Sequence, residues 1–185
     1  LCREDFLTRL EKIAAAKPKA VILREKDLAA AEYKILAAKA LAICRKHGVE
    51  CVLHSFFDVA LALDCSALHL PLHLLKKLPE EAKEKFSVLG ASCHSAEEAV
   101  LAEKSGCTYI TAGHIFDTDC KKGLPGRGTD FLREVCRRVS IPVYAIGGID
   151  SRNIAEVRNA GAAGACLMSG LMLCDDVESF LNQLK

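Results

Sequence analysis

The sequence predicts an α/β protein, and within that class a (β/α)8 TIM barrel. Two observations predict it. Short strand-like runs alternate with helical stretches along the whole chain of 185 residues, and those runs are apolar throughout, which is typical of strands that helices cover on both faces. The length and the 51% hydrophobic content fit one domain over residues 1–185 with a single core.

Seven runs have the length and composition of buried strands. They cover residues 20–25, 51–55, 67–71, 87–92, 109–115, 142–147 and 163–168. Predicted helices cover about 3–16, 29–47, 96–105, 130–138 and 151–160. Gly48, Gly106 and Gly161 each follow a predicted helix and favour its C-terminal end there. Ser95, with Glu98 three residues later, has the pattern of a capping box.

The order of elements begins with a helix and not with a strand. A βα unit that begins with its helix lacks its strand, so we expect the first strand of the barrel to be missing from this sequence. Restoring it gives eight βα units in about 200 residues, a normal size for a small TIM barrel. The alternative is a doubly wound open sheet, which is disfavoured because no G-x-G-x-x-G pattern follows an early strand.

Charge and hydropathy argue against several classes of protein. The net charge is +1, with acidic and basic residues interspersed, so neither a nucleic-acid surface nor a polybasic membrane patch is expected. No apolar run approaches the roughly eighteen residues of a membrane span, and no signal peptide is recognised. The ten cysteines form no C-x-x-C pair and no zinc-like spacing. We therefore expect no metal site, mostly buried thiols and a cytoplasmic location.

Active sites of TIM barrels lie at the C-terminal ends of the strands. The last two predicted strands end in Gly147-Gly148 and in Met168-Ser169-Gly170. Glycine lets an anion approach backbone N–H groups closely, and the loops after the last two strands are the usual phosphate position in this fold. These segments therefore predict a phosphate site. The alternative is that the glycines only form tight turns.

A long glycine-rich, cationic loop at 113–128 follows the 109–115 run. Lys121, Lys122 and Arg127 have the charge to neutralise an anion. Thr118 has a hydroxyl to donate, and the glycines would let the loop close over a ligand. A solvated surface loop is the alternative. His114 lies at the start of this loop, and an imidazole suits proton transfer at neutral pH, although a lone histidine is more often structural.

Six segments, in their order and spacing, resemble the thiamine phosphate synthase/TenI family. They are LREK at 23–26, FDVALAL at 57–63, GASCHSAEEA at 90–99, the 113–128 loop, IPVYAIGGI at 141–149 and GACLMSG at 164–170. The match runs essentially from end to end. The resemblance implies a TIM barrel whose partner is a small-molecule thiazole phosphate. It also implies that Gly148 and Ser169 hold the phosphate, with help from Gly147, Met168 and Gly170.

Departures from the family pattern separate its two branches. The synthases join a pyrimidine diphosphate to a thiazole phosphate with Mg2+. Acidic groups hold this ion after the third and fourth strands of the complete barrel, which are the second and third of the seven runs here. Here those places read His54-Ser55 and HLPLH at 69–73, and Mg2+ prefers carboxylate oxygens to such side chains. The 113–128 loop is instead similar to the TenI branch, with His114 where the synthases usually have proline.

The resemblance to TenI implies a thiazole tautomerase of thiamine biosynthesis that needs no cofactor. It would convert an alkylidene dihydrothiazole carboxylate phosphate to the aromatic carboxythiazole phosphate, with His114 moving the proton. Lys121 and Thr118 match positions on the thiazole side of the pocket. Arg24 and Lys26 match diphosphate positions of the synthases, and Arg24 is expected to face the substrate carboxylate.

Two other functions stay open at this point. One is a divergent thiamine phosphate synthase, which would need Mg2+, and the other is a non-catalytic, TenI-like regulatory binder. The sequence also leaves the oligomeric state open, a homo-oligomer included.

Overall fold

Seven parallel strands form one sheet in the computed structural model, which describes residues 2–184. The strands are β1 (Ala20–Leu23), β2 (Glu50–His54), β3 (Ala67–Pro71), β4 (Val88–Cys93), β5 (Tyr109–Gly113), β6 (Val143–Ile146) and β7 (Gly164–Cys166). They pair in chain order, each parallel to the next. A doubly wound sheet reverses its strand order at a switch point, so this order rules out that alternative.

Helices cover the outer face of the sheet. They are α1 (Phe6–Ala15), α2 (Ala30–His47), α3 (Phe57–Ala62), α4 (Leu72–Leu75), α5 (Glu80–Lys83), α6 (Ala96–Lys104), α7 (Gly128–Arg138), α8 (Ile154–Asn159), α9 (Ser169–Leu173) and α10 (Val177–Asn182), and a 3-10 helix covers Asp119–Lys121. The main apolar core lies between these helices and the sheet. Within residues 2–184, no helix has both the length and the apolar character needed to cross a bilayer.

The sheet is curled, so that side chains of its first strand pack against residues that follow its last strand. Val21 of β1 lies in a small apolar cluster with Leu167 and Leu171, which follow β7. On the inner side of the curl, Lys19 Nζ lies 5.9 Å from the centre of the Tyr144 ring of β6. The predicted α/β class and the seven strands are confirmed, and the fold is TIM-like. A closed eight-stranded barrel is not confirmed, because the predicted extra strand falls outside the described residues.

Several elements begin or end away from the predicted positions, for local reasons. Helix α1 begins later than predicted because the Asp5 side chain accepts hydrogen bonds from two backbone N–H groups and caps it there. Helix α8 also begins later, because Asp150 N–H donates to Asn153 Oδ1 and holds a turn before it. Helix α2 ends as predicted, at Gly48 with a φ of 68°.

The ten cysteines are all free thiols. Five are buried, Cys120 is exposed and the other four are half-buried. The prediction of mostly buried thiols therefore holds for half of them.

Candidate functional site

The loop after β5 packs directly on the turn after β6. Gly147 and Gly148 have φ values of 98° and 66°. A Cβ atom at Gly147 would overlap the Cβ of His114, and one at Gly148 would overlap the carbonyl oxygen of Asp117. Glycine is therefore needed at both positions for this close approach. The packing of the turn therefore requires both glycines, and phosphate binding at this turn stays a prediction.

The second predicted phosphate segment lies at the neighbouring strand end. Strands β6 and β7 are adjacent in the sheet, so the Gly147-Gly148 turn and the segment after β7 share one edge. Met168 is 48% exposed, and Ser169 is exposed as the first residue of α9. Gly170 has no room for a side chain, because a Cβ there would overlap the Phe180 ring. The predicted phosphate residues therefore lie side by side at the C-terminal edge, and their binding role stays a prediction.

His114 is held at the base of the loop by contacts on its main chain and its ring. Its carbonyl accepts a hydrogen bond from Arg127 N–H at 3.0 Å, and its half-buried side chain lies against Gly147. The ring Nε2 lies 3.1 Å from the carbonyl oxygen of Leu124, on the far side of the loop. The loop thus folds back over the imidazole.

The Leu124 contact sets the tautomer of the His114 ring. A carbonyl oxygen only accepts hydrogen bonds, so Nε2 carries the hydrogen and donates it. In the neutral ring Nδ1 then keeps its lone pair. The imidazole is therefore oriented so that Nδ1 is the atom that can take up a proton.

An open cleft of about 570 Å³ lies within the same loop. Thr118, Lys121 and Lys122 contribute to its lining. The Thr118 hydroxyl accepts a hydrogen bond from Cys120 N–H at 3.4 Å and begins the 3-10 helix. Two of the predicted substrate-binding residues, Thr118 and Lys121, therefore face one cleft.

Two further predicted substrate-binding residues follow β1. Arg24 and Lys26 are both exposed. The positive charge of Arg24 acts on two buried imidazoles, since it contributes to the lowered pKa of His54 and of His69. Arg24 therefore lies near the β2 and β3 ends of the edge.

A polar network inside the curl of the sheet was missed by sequence reasoning. His69 Nδ1 lies 2.9 Å from Tyr109 Oη, and His69 Nε2 lies 2.8 Å from Ser92 Oγ. His54 stacks on His69 with ring centres 5.5 Å apart, and its Nδ1 lies 2.7 Å from Ser55 Oγ. The usable signal was strand alternation, because these residues occupy inward-facing positions of neighbouring strands.

Burial keeps both interior imidazoles neutral. It lowers the pKa of His69 to about 3 and the pKa of His54 to about 4, and the charge of Arg24 adds to both effects. Two neutral rings can stack beside an arginine without repulsion between charges. The hydroxyl of Ser92, on β4, is engaged by His69.

The ends of β2 and β3 do not fit a Mg2+ ion. Their side chains are His54 and Ser55 on one strand and the 69–73 segment on the next, with no carboxylate in either. Mg2+ prefers oxygen ligands in octahedral geometry, and both nitrogens of His69 are already hydrogen-bonded. Among residues 2–184, no group of three or more His, Cys, Asp or Glu side chains is arranged to hold a metal ion.

His94 joins the cap of α6 to the loop after β5. Its backbone N–H donates to Glu98 Oε2 at 2.5 Å, and Ser95 Oγ accepts from Glu98 N–H at 3.1 Å, so the α6 cap is present. In addition, the His94 ring Nδ1 lies 2.8 Å from the carbonyl oxygen of Gly113, the residue before His114. This contact fixes the main chain that carries the candidate base.

Comparison with known proteins identifies the family. The profile of the family described as thiamine monophosphate synthase matches residues 1–171. The chain belongs to this family. It is 34% identical over 190 residues to "Thiamine-phosphate synthase 2" of Streptococcus pneumoniae serotype 4, covering 98% of the chain and 89% of that relative. A "Putative thiamine-phosphate synthase 2" of Aquifex aeolicus is 37% identical over 161 residues, covering 87% of each.

A solved structure agrees with this assignment. The chain resembles the thiamine phosphate pyrophosphorylase from Pyrococcus furiosus with a TM-score of 0.83 and 30% identity, covering 98% of this chain and 88% of that one. Membership of the thiamine phosphate synthase/TenI family, expected from the sequence motifs, is confirmed.

The names of these relatives bear on the choice between the two branches. They describe synthases, which are transferases, so they agree with the synthase alternative and give no specific support to a tautomerase. The comparisons therefore establish that the chain belongs to an enzyme family of thiamine biosynthesis. The particular reaction has to be argued from this chain's own residues.

Proposed function

We propose that this family member is a thiazole tautomerase, with His114 as its proton-transfer group. The observation that carries the proposal is the state of the His114 ring. Its Nε2–H donates to the Leu124 carbonyl, so Nδ1 is free to accept a proton at the C-terminal edge of the sheet, where active sites of this fold lie. The substrate would be an alkylidene dihydrothiazole carboxylate phosphate.

The proposed reaction is an isomerisation, so substrate and product contain the same atoms. A C–H bond on the ring carbon breaks and its electron pair enters the ring. The exocyclic double bond shifts into the ring as its outer carbon takes up a proton. His114 Nδ1 would accept the first proton and return a proton to the outer carbon, which leaves the enzyme as it began. A positioned acid–base group contributes about 10²–10⁴-fold to such a step.

The remaining residues of the edge would bind and orient the substrate. Main-chain N–H groups of glycine-rich turns suit a phosphate. A lysine and a hydroxyl beside the ring would position it, and an arginine suits a carboxylate because its planar fork pairs with both oxygens. In this proposal the phosphate is held by Gly147, Gly148, Met168, Ser169 and Gly170, the ring by Thr118 and Lys121, and the carboxylate by Arg24 with Lys26 nearby.

The test is turnover of the dihydrothiazole tautomer by the purified protein, followed by the ultraviolet absorbance of the aromatic product. We expect turnover by the wild type, about 10²–10⁴-fold less by His114→Ala, and an unchanged rate for His73→Ala, which alters an exposed histidine on α4. Equal rates for wild type and His114→Ala would contradict the assignment of the base.

The second candidate function is thiamine phosphate synthesis. The names of the relatives favour it, and the missing carboxylates after β2 and β3 argue against it. Release of pyrophosphate from the two thiamine precursors in the presence of Mg2+ would support this reaction. If the protein bound the carboxythiazole phosphate tightly and catalysed neither reaction, a regulatory binder would be the better description.

A further inference from the structure

We infer that Asp117 is a positioning residue that holds the 113–128 loop in place and thereby sets the orientation and tautomer of His114. The part of this inference that concerns turnover rests on the proposed function. The part that concerns the state of the ring stands on the loop geometry alone.

The carbonyl of Leu124, which orients His114, lies in an exposed part of the loop. Leu124, whose carbonyl accepts from His114 Nε2–H, is 59% exposed. Its own N–H donates to the Lys121 carbonyl at 3.0 Å, a bond within the outer part of the loop. The position of this carbonyl over the imidazole therefore depends on what ties the outer part of the loop to its base.

Asp117 supplies that tie. Its Oδ1 accepts a hydrogen bond of 2.7 Å from Gly126 N–H, two residues beyond Leu124. Asp117 lies on the outgoing half of the loop and Gly126 on the returning half, so this bond links the two ends of the outer part, residues 118–125. Gly126 also needs its missing side chain, since a Cβ there would approach the Ile115 carbonyl oxygen to 2.5 Å. A carboxylate oxygen that accepts from a backbone N–H forms one of the stronger kinds of hydrogen bond.

The base of the loop is anchored independently of Asp117. Ile115 N–H donates to the Ile146 carbonyl at 2.9 Å, and Phe116 N–H donates to the Gly147 carbonyl at 3.1 Å. On the returning arm, Gly128 N–H donates to the Ile115 carbonyl at 2.9 Å. Loss of the Asp117 side chain should therefore release residues 118–125 while the sheet and the loop base stay folded.

The arrangement resembles the way many catalytic histidines are oriented by a second group on the other ring nitrogen. Here that second group is a main-chain carbonyl on a loop, and Asp117 controls it from a distance. A free ring would turn about its χ angles and exchange between tautomers, so Nδ1 would be correctly presented for only part of the time.

The experiment uses the full chain with 15N-labelled histidine and three variants. Asp117→Ala removes the acceptor, Asp117→Asn keeps an oxygen acceptor but removes the charge, and Asp119→Ala removes the same charge two residues away. Ring 15N chemical shifts of His114 report its tautomer, and kcat and KM are measured on the dihydrothiazole.

We expect a single Nε2–H tautomer in the wild type, in Asp117→Asn and in Asp119→Ala. In Asp117→Ala the two ring nitrogen shifts should move towards each other as tautomers exchange. Its kcat should fall by about tenfold or more, up to the limit of about 10²–10⁴-fold that a positioned acid–base group contributes, and KM should change less because the phosphate residues are untouched.

Two outcomes would overturn the inference. In one, the His114 ring shifts of Asp117→Ala match those of the wild type. In the other, Asp117→Asn behaves like Asp117→Ala, which would make the charge and not the acceptor responsible. If the wild type does not turn over the dihydrothiazole, the proposed function fails, but the ring shifts still decide the role of Asp117.

Discussion

Lowering the pH from 7 to 5 is expected to destabilise the fold through its two buried imidazoles. Burial lowers the pKa of His69 to about 3 and the pKa of His54 to about 4, whereas the ordinary value is 6.5. Below pH 6.5 these two imidazoles are therefore protonated in the unfolded chain while they stay neutral in the folded chain. The stability that the neutral rings provide is complete above pH 6.5. It is lost as the pH falls through the window between 6.5 and the folded pKa of each ring.

The size of the effect follows from the width of that window. Each imidazole costs about 1.4 kcal/mol of unfolding free energy per pH unit between 6.5 and its folded pKa. Between pH 7 and pH 5 this amounts to about 2 kcal/mol for each ring. The sum for His54 and His69 is a large part of a typical domain stability of about 5–15 kcal/mol.

The assay is urea unfolding, followed by circular dichroism, at pH 7, 6 and 5. The variant is His69→Gln, whose amide keeps a donor and an acceptor for Tyr109 and Ser92 but does not titrate. We expect the loss of stability from pH 7 to pH 5 to be about 2 kcal/mol smaller in this variant than in the wild type. The control is His73→Gln, which changes an exposed histidine. If wild type and His69→Gln lost the same free energy over this range, the reasoning would be refuted.

Three further substitutions test the packing and the edge of the sheet. Gly147→Ala should cost more unfolding free energy than Gly106→Ala, because both glycines have positive φ but only the first lacks space for a Cβ; the left-handed backbone alone costs about 1–2 kcal/mol, and equal losses would contradict the close approach of the loop. Tyr109→Phe leaves a buried imidazole nitrogen without its partner and should cost about 1–3 kcal/mol in urea unfolding, whereas Tyr144→Phe removes a hydroxyl that makes no such bond to the imidazoles and should cost less; the reverse order would argue against the interior network. Ser169→Ala should weaken binding of the carboxythiazole phosphate about 10-fold or more in calorimetry, since a hydrogen bond to a charged group contributes about 1.5–3 kcal/mol, and unchanged affinity would remove this residue from the phosphate site.

The sequence was a good guide to the strands and to the helix ends that glycine determines. Strands covered on both faces are apolar runs, so β1 to β7 were all found, and Gly48 ends α2 where it was expected. The short helices α3, α4, α5, α9 and α10 were not delimited, because four to six residues are too few to show a 3.6-residue period.

The candidate site was predictable in its position but not in its contacts. Strand ends and glycines indicated the edge that carries His114 and Gly148. The hydrogen bonds from His94 to Gly113 and from Gly126 to Asp117 join residues whose proximity depends on how two loops fold. The interior pair of His54 and His69 could not be predicted from either residue alone, because the two rings meet only where β2 pairs with β3.

The names of the relatives and the chemistry of this chain point to different reactions within one family. The relatives are called synthases, yet the end of β2, where the sequence resemblance implies Mg2+ ligands in a synthase, carries His54 and Ser55 here. The chain also has an oriented imidazole at His114, which directly follows β5. In the proposed account the phosphate-binding residues are common to both branches of the family, and single residues at the edge of the sheet decide the reaction.

The most direct test of the central claim compares wild type and His114→Gln for two properties of the same samples. Affinity for the carboxythiazole phosphate product is measured by calorimetry, and conversion of the dihydrothiazole is measured by absorbance. The account predicts product affinity within about threefold of wild type, a change worth less than 1 kcal/mol, together with a fall in kcat of about 10²–10⁴-fold. A His114→Gln variant that binds the product and converts the dihydrothiazole at the wild-type rate would contradict it.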